Sequence, residues 1–371
     1  MDRKKIAIVG GSRWARTIAG VLCEFLPENY VISMHSLENA DGLKSWVKEK
    51  QITQITVYNT WPDYTDSIYA VIIANAARNH FTAAVSSLLA GIPTLVEKPL
   101  ATNQADAEFL FNLASLNGTN LYCAHVLLYA NYLNNYAQIV RNNFPFKQIK
   151  IVWSDPINEE RYGEVKHYDP SISLIHDIIP HILSIMKSLT DEEISIKDTI
   201  VENGGSRVTI RGLAGLTSYI IILERNSNER LRILEVDTVK NGLITLDFSN
   251  EPGLIRYGDL NDEVGDPYWG QKPGPLRAML ESFFEIATSG ENKDHRLDPI
   301  LGLEACRFSD MAFRSYRSEL VKWFSNRSEK KQNNKDLKYA IDEIFHDSVF
   351  TQNSWKESFL KFVTESPQIN F

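Results

Sequence analysis

The chain has 371 residues, more than a single compact core usually holds, which predicts two domains. Hydrophobic residues make up 43% of the sequence and charged residues 23%, as in an ordinary globular protein. The formal net charge of −8 argues against nucleic acid or an anionic membrane surface as the main partner.

Cysteine usage and hydropathy indicate the compartment. Cys23, Cys123 and Cys306 are too widely spaced for a disulfide framework or a zinc site. The N-terminal residues run into an apolar strand without the apolar core of a signal peptide. Apolar runs fall well below the roughly 20 residues that a membrane span needs. We therefore expect a protein of the reducing cytoplasm, without a bound metal and without membrane association.

The first third of the chain alternates strand and helix signals. Segments with apolar residues at helical spacing separate short apolar runs that predict strands at residues 6–9, 31–34, 55–58, 69–74 and 94–96. Such alternation with short connections is typical of a parallel sheet covered by helices on both faces. We predict an α/β protein with a doubly wound dinucleotide-binding Rossmann domain over residues 1–123.

The pattern then changes to successive strands interrupted by one helix at about 172–189. The strands are predicted at residues 148–153, 206–212, 216–224, 230–237 and 243–248, and Lys240-Asn241-Gly242 is a hairpin turn signal. We predict an α+β domain with a large, mostly antiparallel sheet over residues 124–317, serving substrate binding and oligomerisation. A polar linker at 326–335 lies within a predicted helical C-terminal extension, residues 318–371.

A glycine-containing turn follows the first predicted strand. Gly10-Gly11-Ser12-Arg13-Trp14-Ala15 opens the first helix, which is the context of a dinucleotide fingerprint. Gly10 would form the tight turn, Ser12 stands where a second glycine would let the backbone approach a pyrophosphate, and Ala15 permits close helix–strand packing. The helix N-terminus offers free amides to phosphates. Taken alone, the turn is equally compatible with a turn that binds no ligand.

The end of the second predicted strand bears on the choice of nicotinamide cofactor. An acidic residue that binds the adenine ribose normally stands there, but this chain has Met34-His35-Ser36, and the next acid is Glu38. Arg13 could stack on adenine or reach a 2′-phosphate. A neutral, hydroxyl-bearing strand end beside an arginine favours NADP over NAD, although another loop could supply the acid.

An ionisable pair occupies the end of the fifth predicted strand. In Val96-Glu97-Lys98-Pro99-Leu100-Ala101, Glu97 and Lys98 lie at the carboxyl end of the strand, where open α/β sheets bind ligands. The alternative is a surface ion pair in a solvated turn, which would contribute little to stability.

These motifs, together with Ala74-Asn75-Ala76-Ala77-Arg78-Asn79-His80 and Ala90-Gly91-Ile92-Pro93, resemble the Gfo/Idh/MocA family of NAD(P)-dependent oxidoreductases. That family includes glucose-fructose oxidoreductase and inositol dehydrogenase, and the resemblance extends from residue 5 to about 310. It implies a cofactor site formed by Gly10, Ser12, Arg13, Trp14, Ala15, Ser36, Ala74, Asn75, Glu97, Lys98 and His125.

The resemblance also covers a helix of the second domain. The family has an Asp and a His four residues apart, matched here by Asp177-Ile178-Ile179-Pro180-His181, and this spacing places both side chains on one helical face. It implies that His181 is the general acid/base, that Lys98 hydrogen-bonds the substrate oxygen, and that Asp177 fixes the substrate or the imidazole. The alternative is that Asp177 caps the helix and His181 packs in the core.

The expected activity is hydride transfer between nicotinamide and a secondary alcohol or ketone of a sugar, cyclitol or sugar nucleotide. The segment from Cys123 to Tyr129 lacks the arginine that the family often has there, which leaves the substrate open. An imine reductase of a natural-product pathway and a non-catalytic NADP-binding regulator remain alternatives. Because one sheet face of the second domain is expected to lack a helical cover, we predict a homodimer or homotetramer.

Overall fold

The computed structural model describes residues 4–64, 67–157, 159–161, 164–165, 169, 171–258, 263–289, 294–325 and 334–344. The chain folds into two compact units. The first unit comprises Met1–Ala130 and Gly270–Arg307, and the second comprises Asn131–Trp269 and Phe308–Phe371. None of the described helices is both long enough and apolar enough to cross a membrane.

The first unit contains a six-stranded sheet in which all pairings are parallel. Its strands are β1 (Lys4–Val9), β2 (Tyr30–His35), β3 (Ile55–Tyr58), β4 (Ile68–Ile73), β5 (Thr94–Glu97) and β6 (Leu121–Ala124). They are arranged in the order β3-β2-β1-β4-β5-β6, which is that of a doubly wound dinucleotide-binding fold. The predicted Rossmann domain is therefore confirmed.

Helices cover both faces of this sheet. They are α1 (Arg13–Phe25), α2 (Ala40–Glu49), α3 (His80–Leu89) and α4 (Gln104–Leu116), with 3₁₀ turns at Ala77–Asn79 and Val126–Tyr129. Alternate residues of β1 enter different cores: Ile6 and Ile8 pack on one side, and Ala7 and Val9 on the other. Because both faces are buried, the strands are continuously apolar, which made them recognisable in the sequence.

The second unit is built on an eight-stranded sheet. Its elements are α5 (Asn131–Asn142), β7 (Phe146–Pro156), β8 (Glu160–Arg161), β9 (Glu164–Val165), α6 (Leu174–Leu189), β10 (Ile194–Glu202), β11 (Arg207–Ala214), β12 (Thr217–Ser227), β13 (Leu231–Thr238), β14 (Gly242–Asp247), β15 (Leu254–Tyr257) and β16 (Glu263–Val264). The sheet has the order β10-β11-β12-β7-β13-β14-β15-β16, and β8 and β9 form a separate two-stranded ribbon. Within the large sheet β12 pairs with β7 in parallel and the other pairings are antiparallel, which confirms the predicted mostly antiparallel sheet.

One face of the large sheet is covered by helices. In β12, Tyr219, Ile221 and Leu223 are buried, whereas Ile220 and Ile222 on the opposite face are only half-buried. Helix α6 contacts β12, and α5 contacts β14. The alternation of burial follows from the two-residue period of a strand, and it places α6 on the buried face of the sheet.

The remaining helices are α7 (Pro275–Ser289), α8 (Pro299–Ser325) and α9 (Asn334–Ile344), with a 3₁₀ turn at His295–Leu297. The sequence pattern predicts that 124–317 form the second domain, whereas in the structure Gly270–Arg307 belongs to the first unit. Met279, Leu280 and Phe283 of α7 share a core with β1 and α1, which explains this placement. Helix α8 continues without a break through residue 318, where the C-terminal extension was predicted to begin. Residues 345–371, which include further apolar positions predicted to be helical, lie outside the described residues.

A buried ion cluster ties α9 to the start of α6 within the second unit. Arg225 of β12 is only 2% exposed and donates to Asp177 Oδ2 at 2.8 Å and to Glu343 Oε1 of α9 at 3.5 Å. Glu343 also accepts from the hydroxyl of Tyr339 at 2.9 Å and from the backbone amide of Leu174 at 3.3 Å. Burial alone would lower the pKa of Arg225, but the neighbouring Tyr339, Asp177 and Glu343 outweigh it and raise that pKa.

Replacing Arg225 with alanine should therefore destabilise the protein strongly. Asp177 and Glu343 would lose their shared cation, and breaking a buried pair typically costs about 3–5 kcal/mol. Chemical denaturation of the purified variant measures the loss. Arg211→Ala is the matched control: Arg211 pairs with Asp198 at 3.8 Å on an exposed surface, and its removal should cost less than about 1 kcal/mol. Equal losses in the two variants would contradict a stabilising role for the buried cluster.

Candidate functional site

The glycine turn after β1 is shaped by close backbone contacts. Gly10 has φ +153°, and a Cβ there would lie 2.4 Å from the carbonyl oxygen of Ala74. A Cβ on Gly11 would lie 2.3 Å from Ser36 Oγ. Ser12 is the N-cap of α1, and its side chain makes no capping hydrogen bond. The turn thus leaves backbone amides at the start of α1 available to a phosphate.

A cavity of about 310 Å³ lies beside this turn, within the first unit. The side-chain amide of Asn39 donates to the Gly11 carbonyl at 2.6 Å, and the Asn39 backbone amide donates to Ser36 Oγ at 3.1 Å. These bonds hold the loop after β2 against the turn. The cavity is lined by the turn (residues 9–12), the end of β2 and its loop (residues 35–39), Thr60, Trp61, and Asn75, Ala76, Arg78 and Asn79 of the loop after β4.

The structure brings only some of the predicted cofactor residues to this cavity. Gly10, Ser12, Ser36 and Asn75 line it, whereas Arg13, Trp14 and Ala15 are not among its lining residues. Ala15 is fully buried in the core, as expected for a small residue that allows α1 to pack on the sheet. Leu37, Asn39, Thr60 and Trp61 also line the cavity and were not predicted, because no local motif marks them. Arg78 lies within the Ala74–His80 motif, but the motif gave it no role as a lining residue.

Glu97 and Lys98 lie at the carboxyl end of β5. Glu97 is only 7% exposed, and burial raises its pKa from 4.5 to about 7, against the opposing effects of a hydrogen bond from the Trp14 side chain and the charge of Lys98. Lys98 is half-buried. Trp14 therefore contacts the carboxyl group of Glu97. The pair differs from a solvated surface ion pair because its carboxyl group is removed from water.

His80 connects the loops that follow β4 and β5. Its Nδ1 lies 2.7 Å from the carbonyl oxygen of Pro99, and its Nε2 lies 3.2 Å from that of Asn75. The ring is 1% exposed. A neutral imidazole donates through one nitrogen only, whereas the cation donates through both. His80 thus lies between two loops that carry predicted site residues and can donate to the carbonyl of either one.

His125 follows β6 and is 1% exposed. The parallel register pairs Glu97 of β5 with Ala124 of β6. The residues that follow the two strands, Lys98 and His125 respectively, therefore lie side by side. Burial, and then the charge of Lys98, lower the pKa of His125 to about 4. Within the described part of the chain, neither ring nitrogen has a hydrogen-bond partner. The structure therefore groups Glu97, Lys98 and His125, with a neutral imidazole at neutral pH.

In the second unit, Asp177 and His181 lie on α6. The N-cap is Ser173, whose Oγ accepts from the backbone amide of His176 at 3.2 Å, so the alternative that Asp177 caps this helix is wrong. The Asp177 carboxylate instead accepts from Arg225 at 2.8 Å. His176 Nε2 lies 3.3 Å from a carboxylate oxygen of Asp310 on α8.

The imidazole of His181 stacks on the indole of Trp153 in β7, with ring centroids 5.4 Å apart and planes inclined by 13°. The guanidinium of Arg232 lies 3.8 Å from the centroid of the Trp153 ring. Arg232 is in turn held by the carbonyl of Ser154 at 2.6 Å and by the carboxylate of Asp155. The orientation of the His181 ring is thus set by a neighbour that is distant in sequence.

Comparisons with known proteins agree with this geometry. Residues 4–125 match the Gfo/Idh/MocA family, described as an oxidoreductase family with an NAD-binding Rossmann fold. A comparison with curated protein sequences gives no match.

Several solved structures share the fold over most of the chain. UDP-N-acetylglucosamine 3-dehydrogenase from Acidithiobacillus ferrooxidans is 17% identical with a TM-score of 0.69, covering 86% of this chain and 100% of its own. An aldose-aldose oxidoreductase from Caulobacter crescentus, complexed with glycerol, is 17% identical with a TM-score of 0.69 and coverages of 85% and 98%. A 3-ketoreductase from Actinomadura kijaniata, in complex with TDP-benzene and NADP, is 15% identical with a TM-score of 0.67 and coverages of 83% and 96%.

At these identities the structural likeness establishes the fold alone. The sequence match covers residues 4–125, from β1 to β6, and it is to the family that the motifs resemble, so the predicted resemblance is confirmed. This N-terminal part of the chain is similar to the NAD-binding Rossmann domain of the Gfo/Idh/MocA oxidoreductases.

Proposed function

We propose that this protein transfers a hydride between a nicotinamide cofactor and a secondary alcohol or ketone of a sugar, cyclitol or sugar nucleotide. The observation that carries the proposal is the grouping of Lys98, Glu97 and His125 at the carboxyl ends of β5 and β6. An ammonium group beside two buried side chains with shifted pKa values is typical of a catalytic site. The names of the structural neighbours, a sugar-nucleotide dehydrogenase and an aldose oxidoreductase, support a sugar-like substrate.

The residues of the first unit fit a dinucleotide. Gly10 and Gly11 have no room for a Cβ, so the backbone can approach a pyrophosphate closely. His125, buried without a hydrogen-bond partner among the described residues, could both donate to and accept from a polar group such as a carboxamide. When bound, the nicotinamide supplies the hydride chemistry itself. The neutral strand end at Ser36 favours NADP, with NAD as the alternative.

The side chains would have separate roles. Lys98 would donate a hydrogen bond to the substrate oxygen and stabilise its developing negative charge. His181 would act as the general acid/base of the reaction, a role for which imidazole is the side chain most often used. Glu97, only partly ionised near neutral pH because its pKa is raised to about 7, would orient Lys98 and offset its charge only in part.

Asp177 would orient the imidazole or a substrate hydroxyl. Its carboxylate accepts from Arg225 through Oδ2, which fixes the position of the group on α6. The Asp177 side chain is 24% exposed, whereas that of Arg225 is 2% exposed. The buried guanidinium of Arg225 therefore binds the Asp177 carboxylate from the protein interior, and part of the Asp177 side chain remains exposed to solvent.

The activity is tested by a thermal-shift screen of the protein with NADPH against sugars, sugar phosphates and sugar nucleotides. Compounds that raise the melting temperature are then assayed for NADPH oxidation or NADP reduction. Hydride transfer to or from one of them would support the proposal. Tight NADPH binding without turnover across the panel would contradict it and favour the non-catalytic regulator.

We also propose that the open face of the large sheet forms a homodimer interface. Val152, Ile220 and Ile222 are half-buried on this face, beside the ion pair of Lys150 and Glu235 at 2.7 Å. An apolar centre with charged side chains around it is typical of subunit interfaces. Because both charge signs are present on one face, the face can pair with a second copy of itself about a two-fold axis.

Substituting the proposed base should abolish most of the activity. With the substrate that the screen identifies, His181→Asn should lower kcat about 10²–10⁴-fold, because a positioned acid/base group contributes that much. The dissociation constant for NADPH, measured by fluorescence titration, should change little. The exposed His295 provides a control, since His295→Asn should leave kcat unchanged. A His181→Asn variant that retains more than half of wild-type turnover would contradict the role of His181.

Burial of Glu97 predicts a pH dependence of stability. Its pKa is raised from 4.5 to about 7 in the folded protein. The stabilisation of the folded state by the protonated carboxyl group is therefore fully present below about pH 4.5 and is lost as the pH rises through 7. Relative to Glu97→Gln, the wild type should thus lose roughly 3 kcal/mol of unfolding free energy between pH 4.5 and 8. Denaturation curves at several pH values measure this difference. Wild type and Glu108→Gln, a variant at a partly exposed carboxyl group that retains Glu97, should show the same pH dependence. Parallel curves for wild type and Glu97→Gln would disprove the prediction.

Disrupting the open sheet face should produce monomers. Ile220→Lys would place a charge in the apolar centre of the proposed interface. Removing this ammonium group from water on association would cost more free energy than its new contacts would return. Light scattering should show a dimer or tetramer for the wild type and a monomer for the variant. Leu216→Lys, at a fully exposed hairpin tip, should remain oligomeric. A monomeric wild type would contradict the proposed interface.

A further inference from the structure

We propose that Arg78 and Glu38 determine the choice between NADP and NAD by acting in opposite directions on the adenosine ribose. Both residues line the cavity beside the glycine turn, Glu38 from the loop after β2 and Arg78 from the turn after β4. This inference rests on the proposed dinucleotide cofactor, but it does not depend on the substrate. It assigns cofactor discrimination to two charged residues to which the sequence gave no cofactor-binding role.

Arg78 lies in the 3₁₀ turn Ala77–Asn79 that follows β4. Its side chain is exposed, and among the described residues its guanidinium makes no hydrogen bond or ion pair. Arg13, which the sequence analysis associated with a 2′-phosphate, is not among the residues that line the cavity. Arg78 is therefore the arginine that the described part of the chain presents to this cavity.

Glu38 enters the same cavity from the loop after β2. It is exposed, and its carboxylate has no ion pair or hydrogen bond within the described ranges. The loop is held in place on either side of Glu38, since Asn39 donates to both Gly11 O at 2.6 Å and Ser36 Oγ at 3.1 Å. The carboxylate is thus attached to a fixed backbone at the rim of the cavity.

The two charges act differently on the two cofactors. A guanidinium binds a phosphate through two parallel hydrogen bonds, so Arg78 favours a ribose that carries a 2′-phosphate. A carboxylate accepts hydrogen bonds from free ribose hydroxyls and repels a phosphate, so Glu38 favours NAD. The hydroxyl of Ser36 accepts from Asn39 but keeps its proton, which it can donate to a hydroxyl or a phosphate alike. Ser36 therefore permits a 2′-phosphate without excluding NAD, and the charge-dependent part of the discrimination lies with Arg78 and Glu38.

Fluorescence titration of NADPH and NADH into wild type, Arg78→Ala and Glu38→Gln tests this assignment. Arg78→Ala should raise the Kd for NADPH by about 10-fold or more, because it removes charge-assisted hydrogen bonds, and should change the Kd for NADH by less than about threefold. Glu38→Gln should weaken NADH binding and leave NADPH binding unchanged or tighter. Adenosine 2′,5′-bisphosphate, as a competitor, should lose affinity in Arg78→Ala in parallel with NADPH.

Arg13→Ala serves as the comparison variant. A selective loss of NADPH binding in Arg13→Ala but not in Arg78→Ala would overturn the inference, as would equal losses of both cofactors in Arg78→Ala. A wild type that binds neither cofactor would refute both this inference and the proposed function. A wild type that binds the cofactors with the predicted selectivities, yet turns over no sugar, would refute the proposed function and leave the inference standing.

Discussion

Parallel pairing of β5 between β4 and β6 is the constraint on which the candidate site of the first unit depends. Parallel strands bring their carboxyl ends to one edge of the sheet, and the register of Glu97 with Ala124 sets Lys98 beside His125. His80 then joins the loops after β4 and β5 through the carbonyls of Asn75 and Pro99. The positions of these groups follow from backbone pairing rather than from contacts among the side chains alone.

Burial at that edge determines which groups carry charge. Removing Glu97 from water raises its pKa to about 7, and removing His125 from water lowers its pKa to about 4. Both shifts oppose ionisation, so near neutral pH His125 is uncharged and Glu97 is only partly ionised. Lys98 can then act as a cation whose charge is incompletely neutralised, which suits stabilisation of an oxyanion.

The second unit orients its candidate residues by different means. Ser173 caps α6, Arg225 binds Asp177 from within the core, and Trp153 stacks on His181. Through Glu343, helix α9 contributes to the same cluster and contacts the first amide of α6. The helix that carries Asp177 and His181 is therefore held by residues from β7, β12 and α9, which rigidifies it beyond what helix propensity provides.

The sequence by itself determined the Rossmann domain, the glycine turn, the ionisable pair after β5 and the Asp-x-x-x-His helix, because each depends on residues that are neighbours along the chain. The local sequence pattern did not predict the edge strand β10, whose isoleucines alternate with polar residues. It also predicted α7 in the second domain, whereas the structure includes this helix in the first unit. Only the tertiary structure decided that Arg225 binds Asp177, that Trp153 faces His181, and that Arg78 and Glu38 share a cavity. Those pairs join residues far apart in sequence, and their meeting depends on strand order and helix packing, which no local pattern encodes.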